Sequence, residues 1–355
     1  MQKSEAVKKS SGQKLPKNLG FPEDKQVSNI LDFKDSEHWN KEDLKTLLLA
    51  EGELQARLFE EARAVRRRQG MDNVLLRGVI EVSNICQKRC GYCAMSSTNK
   101  GLKRYRLDKE VLLSIARQIR QAGIGVFFLQ SGQDPHIDPL IRDIIPRIRN
   151  ELGMRVLLCV GEKDRETYRQ YAKLGVNSYI LKFETSDPRL YERIVGEPPA
   201  KRMECLQWIK KSGIELGTGN IVGLPGQTLD SLAEDILLAR TLKPTFVSSA
   251  PFIPNPGSLL EGEPCGDLNL TLNNMALFRI LVKGCRIPTV SALEKIQEGG
   301  QLMGLNAGAN IITINFTPES SRKEYAIYAD DRFVVSHSHA FAIIEKARLS
   351  VAPVS

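Results

Sequence analysis

The 355-residue chain has few of the features that mark membrane spans, disulfide frameworks or zinc sites. No apolar run approaches the roughly 18 residues that a membrane-spanning helix needs, and the Lys- and Ser-rich start has no apolar signal core. Its seven cysteines are an odd number without framework spacing, and no second CxxC or suitably spaced histidine pair is present. We therefore expect a cytoplasmic protein with reduced thiols and no membrane partner.

Aromatic residues are also scarce, at 6% of the chain, and no zinc-finger, RRM or KH signature accompanies the net charge of +8. Lys and Arg concentrate in the first eighteen residues, at 63–68 and at 100–106. Without a stacking platform or a recognition motif, such basic stretches indicate a solvated face or a positive field near an anionic cofactor. We expect no nucleic-acid partner.

Three of the cysteines lie within eight residues, as Cys86, Cys90 and Cys93, directly after an apolar run at 75–83 that is typical of a buried strand. Thiolates spaced CxxxCxxC can bind three irons of a [4Fe–4S] cube, which leaves the fourth iron without a protein ligand. Electron-transfer ferredoxins use four cysteines per cluster. The open iron therefore predicts chemistry at the cluster, with a small molecule as its fourth ligand.

From residue 75 onward, short apolar or β-branched runs alternate with longer amphipathic segments. The strand candidates are 77–83, 126–131, 155–160, 178–183, 215–222, 246–250, 287–290 and 310–315. Eight such alternations without edge signals predict an α/β fold, a parallel (β/α)8 TIM-type barrel, with a doubly wound open sheet as the alternative. The three cysteines then follow the C-terminal end of the first strand, where barrel enzymes build their active sites.

The predicted organisation has four parts. Residues 1–25 are polar and are expected to lack fixed structure, and residues 26–70 form a helical N-terminal extension. The barrel occupies residues 71–320, and residues 321–355 form a C-terminal extension.

Polar residues follow two of the predicted strands. Ser131, Gly132 and Asp134 form a strand tip that can hold the ammonium and carboxylate of an amino-acid ligand, although SGxD is also an ordinary turn. Glu184 ends an apolar run, where a carboxylate needs a partner, and it can accept hydrogen bonds from ribose hydroxyls or an ammonium; capping the next helix is the alternative. Arg202 can bind a carboxylate in bidentate fashion, or it is a plain surface arginine.

Four glycines in ten residues, at 217–226, mark the fifth strand and its exit loop, where a flat ring or another backbone can come close. No GK[ST] follows, so this is not a P-loop. The loop at 305–310, before the last strand, is either a tight packing loop or a substrate contact, and the sequence leaves both open.

At these residues the chain resembles the radical S-adenosylmethionine (SAM) superfamily, whose signature is CxxxCxxC with an aromatic residue, here Tyr92, before the last cysteine. It is most similar to the branch that holds biotin synthase, the radical SAM maturase of [FeFe]-hydrogenase and methylornithine synthase. The similarity covers about residues 45–320. Its motifs are 77–84, 104–106, 129–135, 184–185, 221–228, 251–254 and, on the methylornithine-synthase side, 305–310.

The resemblance implies that Cys86, Cys90 and Cys93 ligate a [4Fe–4S] cluster and that SAM chelates its open iron. The implied SAM contacts are Ser131, Gly132 and Asp134 at the ammonium, Glu184 and Arg202 at the ribose and carboxylate, and Tyr92, Ile221 and Gly223 at the adenine. A reducing protein such as ferredoxin or flavodoxin would supply an electron for cleavage of SAM to a 5′-deoxyadenosyl radical. That radical would act on a small amino-acid- or thiol-derived substrate in cofactor or amino-acid biosynthesis, and no side chain is assigned as catalytic.

Departures from the family pattern reduce the number of family reactions that we expect this chain to catalyse. At strand tips where biotin synthase carries cysteines for a second cluster, this chain has Ser131, Leu157 and Gly217, which disfavours sulfur insertion of the biotin type. Lys182 stands where the maturase tends to have an arginine.

The remaining cysteines leave two alternatives open. Cys159, on a predicted strand, and Cys205, on a predicted helix, are most simply small core residues. Cys265 and Cys285 lie near loops and are candidates for an accessory cluster, whose membership the sequence leaves open among the four, so a lipoyl-type sulfur-inserting synthase is one alternative. A non-catalytic iron–sulfur binding protein is the alternative of another class.

Overall fold

The computed structural model describes residues 36, 38–328 and 332–354, so the predicted tail at 1–25 lies outside the described residues. One curled parallel sheet organises the fold. Its strands are Asn73–Ser83 (β1), Val126–Ser131 (β2), Arg155–Cys159 (β3), Ser178–Ile180 (β4), Glu215–Val222 (β5), Phe246–Pro251 (β6) and Ile311–Asn315 (β7), with Ser350–Val351 (β8) beside the start of β1. The strands are arranged in the order β6-β5-β4-β3-β2-β1-β7.

Helices precede the sheet, connect its strands and follow it. They are Lys41–Leu48 (α1), Gly52–Arg68 (α2), Lys109–Gln121 (α3), Asp138–Leu152 (α4), Arg165–Leu174 (α5), Pro188–Val195 (α6), Ala200–Lys211 (α7), Leu229–Leu242 (α8), Leu268–Leu281 (α9), Ser291–Ile296 (α10), Gly300–Asn306 (α11), Glu319–Arg322 (α12) and His337–Lys346 (α13). The α/β fold class with a parallel sheet and helical crossovers is confirmed. In the described part of the chain, no helix is both long and apolar enough to cross a membrane.

The predicted strand at 287–290 does not form a regular ladder. Instead Arg286 makes an isolated parallel bridge with Phe246 of β6, and Pro288 makes one with Ile311 of β7. Pro288 has no amide to donate, and the amide of Ile287 donates to the side chain of Asn310 at 3.0 Å. Backbone hydrogen bonds nevertheless join this segment to both neighbours: Val247 donates to the Arg286 carbonyl, and Thr289 donates to the Ile311 carbonyl, both at 3.0 Å. The segment therefore lies between β6 and β7 without forming a regular ladder, and the regular sheet is a seven-stranded half-barrel.

Side chains of β1 alternate between two cores. Leu76, Ile80 and Val82 pack with the surrounding helices in the main core, while Val79 joins Phe128 of β2 in a smaller cluster on the inner face of the sheet. Each such fully buried side chain contributes about 1.5–3 kcal/mol to folding. The sheet thus has a filled outer face and an inner face on which polar residues also occur.

The first two helices pack on the last crossovers of the sheet. Asn40 begins α1 with a capping box to Asp43, and α1 packs against α8 while α2 packs against α9. A helical pair was predicted here, and the residue boundaries of the four parts stay a prediction.

The 305–310 loop is held by two buried arginines. Arg66 Nη1 donates to the carbonyls of Leu305 and Ala309 at 2.8 and 2.9 Å. Arg279 donates to the carbonyl of Gly308 and to Asn310 Oδ1, both at 2.9 Å. Because the loop precedes β7, it lies at the end of the sheet opposite the cysteines. Its role is packing rather than substrate contact.

A buried polar network lies between the sheet and helices α8 and α9. Asp235 accepts hydrogen bonds from the amide of Ser186 at 2.5 Å and from Asn220 Nδ2 at 3.0 Å. Asn274 donates to Asn220 Oδ1 and to Ser249 Oγ at 3.1 and 2.9 Å. Despite these donors, burial raises the pKa of Asp235 from 3.8 to about 7.

Asp235 is expected to make stability fall as pH rises from about 4 to about 7. In that window the unfolded carboxyl releases its proton while the folded one keeps it, so ionisation favours unfolding, by at most roughly 4 kcal/mol over the full range. In Asp235→Asn this titration is absent. Urea-denaturation midpoints at pH 5 and pH 8 measure the effect: the drop should be smaller in the variant, and equal drops in both proteins would contradict it.

Candidate functional site

The three cysteines lie on a loop that leaves the C-terminal end of β1; we call residues 84–99 the cysteine loop. One arginine organises it. Arg104 donates to the carbonyls of Asn84, Met95, Ser96 and Asn99 at 2.7, 2.8, 2.7 and 3.0 Å. A single guanidinium thus ties both ends of the loop together.

The tip of β2 lies directly against the cysteine loop. The amide of Gln133 is 3.4 Å from Cys86 Sγ, and the amide of Gln87 donates to the Gln133 carbonyl at 3.1 Å. A Cβ on Gly132 would lie 2.4 Å from the carbonyl oxygen of Ile85 and 2.8 Å from Cys86 Cβ. Only glycine fits at this contact, which places the predicted strand tip beside the first cysteine.

The three thiols fit an iron–sulfur cluster in number and chemistry. Cys90 is buried, while Cys86 and Cys93 are partly exposed. Burial is the main cause that raises the pKa of Cys90 to about 12 and also raises the pKa of Cys93, and the neighbouring thiols add to both shifts. Such thiols ionise when a metal binds, and thiolates are the ligands of Fe–S clusters.

The donor set fits a cluster better than a single ion. Among the described residues, no three His, Cys, Asp or Glu side chains are arranged around one metal ion. The thiolates of a cube bind separate irons, so they need not converge on one point. The residues present fit a [4Fe–4S] cluster with one iron free of protein ligands.

Glu184 lies in the same region in a conformation that costs free energy. Its φ is +65°, in the left-handed region that costs a non-glycine residue roughly 1–2 kcal/mol. Among the described residues, its buried Oε2 has no hydrogen bond; Lys182 Nζ lies 3.3 Å from this oxygen, and Arg202 Nη1 lies 3.6 Å from Oε1. A strained residue with an unsatisfied buried acceptor near Cys90 fits a hydroxyl or ammonium donor from a ligand.

Arg202 is buried rather than a surface arginine. Its Nε donates to Glu162 at 2.7 Å, its Nη1 donates to the carbonyl of Lys182, and Nη1 is 3.6 Å from Glu184 Oε1. Burial opposes its charge, but Tyr191, Glu184 and Glu162 more than offset this and raise the pKa of Arg202. It stays a cation under all ordinary conditions.

Asp134 is engaged by the protein itself. It is fully buried, and its two oxygens accept from Ser83 Oγ at 2.7 Å, Arg106 Nε and Nη2 at 2.7 and 2.6 Å, and the amide of His136 at 3.0 Å. Ser131 Oγ donates to the carbonyl of Gly132 at 2.6 Å. The Asp134 carboxylate therefore supports the β2 tip and has little capacity left for a ligand's ammonium.

The predicted adenine contacts lie on the other side of the cysteine loop. Tyr92 and Ile221 belong to one apolar cluster with Cys90, together with residues of α6 and the β5 and β6 exits. Gly223 follows β5 with φ +85°, and a Cβ there would lie 2.4 Å from Gly266 Cα. Its glycine is explained by this backbone contact.

A cavity of about 150 Å³ lies on the inner face of the sheet, below the cysteine loop. Arg77 lines it, is 2% exposed, and has no hydrogen-bond partner for Nε or Nη1. Its guanidinium lies 5.5 Å from the centroid of the Phe128 ring, and burial lowers its pKa to about 9. The neighbouring Glu81 is already paired with Arg332 at 2.5 and 2.6 Å. Among the described residues, Arg77 therefore has two aromatic rings nearby, Phe128 and Phe246, but no carboxylate is paired with it.

The four other cysteines occupy different environments. Cys159 packs in the inner cluster of the sheet, Cys205 lies 3.4 Å from the carbonyl of Lys163, Cys285 is fully buried in the main core, and Cys265 is exposed. Nothing in the described part of the chain gathers three of them into a second ligand set.

The sequence interpretation missed Lys88, Glu162 and Gln133. Lys88 lies between two cysteines, which was a usable signal, but its partner Glu162 is 74 residues away along the chain. No local pattern distinguishes Glu162 or Gln133 from other polar residues after a strand.

Comparison with known proteins agrees with this site. The profile of the radical SAM superfamily matches residues 80–239, a span that includes all three loop cysteines. The [FeFe] hydrogenase maturase subunit HydE of Thermotoga maritima is 40% identical over 76% of this chain and 78% of its own. The 3-methylornithine synthase of Methanosarcina acetivorans is 29% identical over 82% and 83%.

Solved structures share the fold. The crystal structure of methylornithine synthase (PylB) superposes with a TM-score of 0.78 at 24% identity, covering 92% of this chain and 97% of that one. The maturase HydG from Carboxydothermus hydrogenoformans superposes with a TM-score of 0.77 at 23% identity, covering 91% and 78%. With a cysteine loop of this geometry and a relative at 40% identity, the chain belongs to the radical SAM superfamily, as an enzyme similar to HydE and methylornithine synthase.

Proposed function

We propose that this radical SAM enzyme holds a [4Fe–4S] cluster through Cys86, Cys90 and Cys93, binds SAM beside it, and acts on a small carboxylate-bearing substrate inside the half-barrel. The observation that supports the proposal is that the cysteine loop follows β1, whose residues Arg77, Val79 and Glu81 line the cavity, and that Glu184, with an unsatisfied buried oxygen, interacts with Cys90. When bound, the cluster and SAM together supply a 5′-deoxyadenosyl radical, after reduction by one electron.

The proposed SAM contacts follow from the available polar groups. Glu184 Oε2 accepts a hydrogen bond from a ribose hydroxyl or the ammonium, which satisfies its buried oxygen. Arg202 binds the carboxylate. Ser131 and Gly132 present the β2 tip to the ammonium, while Asp134 holds that tip in place through Arg106.

The adenine is proposed to lie among Tyr92, Ile221 and Gly223. Tyr92 and Ile221 supply an apolar surface beside Cys90, and Gly223 keeps the loop after β5 close to its neighbour. A ring in this position is shielded from water on the side of α6.

The substrate is proposed to be amino-acid- or thiol-derived, and Arg77, whose Nε and Nη1 have no hydrogen-bond partner among the described residues, supports a carboxylate. Burying a cation is costly, and a carboxylate ligand both neutralises it and can accept two parallel hydrogen bonds. The names of the relatives, a hydrogenase maturase subunit and a methylornithine synthase, support a proposed reaction in cofactor or amino-acid biosynthesis. A ferredoxin- or flavodoxin-type protein in a thiol-reducing compartment is the proposed electron donor.

Arg77→Met is expected to separate SAM cleavage from substrate turnover. Among the described residues, Arg77 forms no hydrogen bond or ion pair with the three loop cysteines or with Glu184. Slow 5′-deoxyadenosine formation without substrate should therefore stay within about twofold. The stimulation by substrate should fall roughly 100-fold or more, because a buried charged hydrogen-bond partner is lost. Anaerobic assays with and without substrate measure both rates, and equal substrate stimulation in the two proteins would contradict the assignment.

Iron quantitation and SAM cleavage test the function and its alternatives. Reconstituted protein should contain close to four irons per chain and form 5′-deoxyadenosine on anaerobic reduction with SAM. Close to eight irons would revive the sulfur-inserting alternative. Four irons without 5′-deoxyadenosine would favour a non-catalytic iron–sulfur binding protein.

A further inference from the structure

A chain of buried ion pairs connects the cysteine loop with the proposed SAM-binding residues. Lys88, between two of the cysteines, has Nζ 2.7 Å from Glu162 Oε2 and 2.5 Å from Glu197 Oε2. The other oxygen of Glu162 accepts from Arg202 Nε at 2.7 Å. Arg202 Nη1 lies 3.6 Å from Glu184 Oε1. Glu162 is therefore the link between the loop and Arg202.

The Lys88–Glu162 ion pair is buried, whereas the glutamate of the neighbouring Lys88–Glu197 pair is exposed. The side chains of Lys88, Glu162 and Arg202 are 10%, 6% and 8% exposed, whereas that of Glu197 is 48% exposed. Removing one member of a buried pair leaves an uncompensated charge, while exposed pairs contribute little. Both glutamates thus bind the same lysine, but the loss of Glu162 should have a much larger effect than the loss of Glu197.

The backbone of Glu162 has a second connection to the loop. Its amide donates to Gln133 Oε1 at 2.8 Å, and the amide of Gln133 lies 3.4 Å from Cys86 Sγ. Both the main chain and the side chain of Glu162 are thereby tied to the cysteine loop, through different partners.

We infer that Glu162 is a positioning residue for SAM, which fixes Arg202 relative to the cysteine loop. By occupying Arg202 Nε it sets the rotation of the guanidinium, and by binding Lys88 it keeps the loop at a constant distance from that guanidinium. A ligand that bridges the cluster and Arg202 then finds both ends already in place. This inference rests on the proposed function, in which SAM is that ligand.

The test is a SAM titration of the reduced, cluster-loaded protein, read from the change in its EPR spectrum. In Glu162→Gln, the SAM dissociation constant should rise at least about 10-fold, because the buried charged hydrogen bond that orients Arg202 is weakened. The turnover at saturating SAM should change less than the KM for SAM. Glu197→Gln is the matched control: it makes the same chemical change at the same lysine and should stay within about twofold.

Lys88→Met breaks the same chain from the loop side. The SAM dissociation constant of this variant should also rise. In the double variant Lys88→Met/Glu162→Gln, the fold-increase should be smaller than the product of the two single fold-increases, because both substitutions break the same Lys88–Glu162 ion pair. If Glu162→Gln loses iron, the Lys88→Met titration decides: unchanged SAM affinity overturns the inference.

The experiments distinguish a failure of the role inferred for Glu162 from a failure of the proposed function. Wild-type affinity in Glu162→Gln, with SAM binding lost in Arg202→Met, would overturn the role of Glu162 and leave the proposed function intact. Absence of any SAM-dependent change in the wild-type spectrum would instead reject the proposed function.

Discussion

Cys90→Ala is expected to abolish SAM cleavage and to lower the iron content well below four per chain. Cys90 is the buried member of the three loop cysteines, and its loss leaves two thiols for a cube that needs three. The rate of 5′-deoxyadenosine formation should fall by more than the roughly 100-fold that follows loss of a ligand's outer partner. Iron analysis, visible absorption and anaerobic SAM cleavage measure these effects.

Cys205→Ala is the matched control for that variant. Cys205 is also buried, but it packs in the main core, where its Sγ lies 3.4 Å from the carbonyl of Lys163. Its loss should lower stability by roughly 1–2 kcal/mol and leave iron content and cleavage nearly unchanged. Full cluster and activity in Cys90→Ala, or loss of the cluster in Cys205→Ala, would contradict the assignment of ligands.

Gly132→Ala is expected to disturb the cluster without touching a ligand. The added methyl group would lie 2.4 Å from the carbonyl oxygen of Ile85 and 2.8 Å from Cys86 Cβ. Because one contact is backbone, the cysteine loop must move, at a cost of about 1–3 kcal/mol. Iron retention should fall several-fold, SAM cleavage should fall about 10-fold or more, and far-UV circular dichroism should stay like that of the wild type.

Gly262→Ala provides the comparison, because a Cβ there meets nothing within 4 Å. It should leave iron content, cleavage and melting temperature unchanged within error. Wild-type iron retention and activity in Gly132→Ala would mean that the β2 tip does not constrain the cysteine loop.

Local sequence signals located most of the site. The predicted strands at 126–131 and 215–222 coincide with β2 and β5, because their apolar runs are bounded by glycines and polar residues. The cysteine spacing and its place after β1 identified the loop. These features depend on residues that are close along the chain, which is where sequence patterns are informative.

Contacts formed by tertiary packing determine the roles of several residues that the sequence alone could not assign. Asp134 looked like a ligand contact, but Arg106 occupies its carboxylate. Arg202 and Glu184, which both lie in the connection between β4 and β5, turned out to be buried and to form an ion pair at 3.6 Å. The strand predicted at 287–290 failed because Pro288 removes an amide. Such pairings arise from tertiary packing, which no local pattern encodes.

The central claim is that SAM binds at an iron without a protein ligand beside the cysteine loop. The most direct measurement is the EPR spectrum of the anaerobically reduced protein before and after SAM is added. We expect SAM to change the g values of the cluster signal, and we expect Cys90→Ala to give neither the signal nor the change. An identical spectrum with and without saturating SAM, from protein that holds four irons per chain, would contradict it.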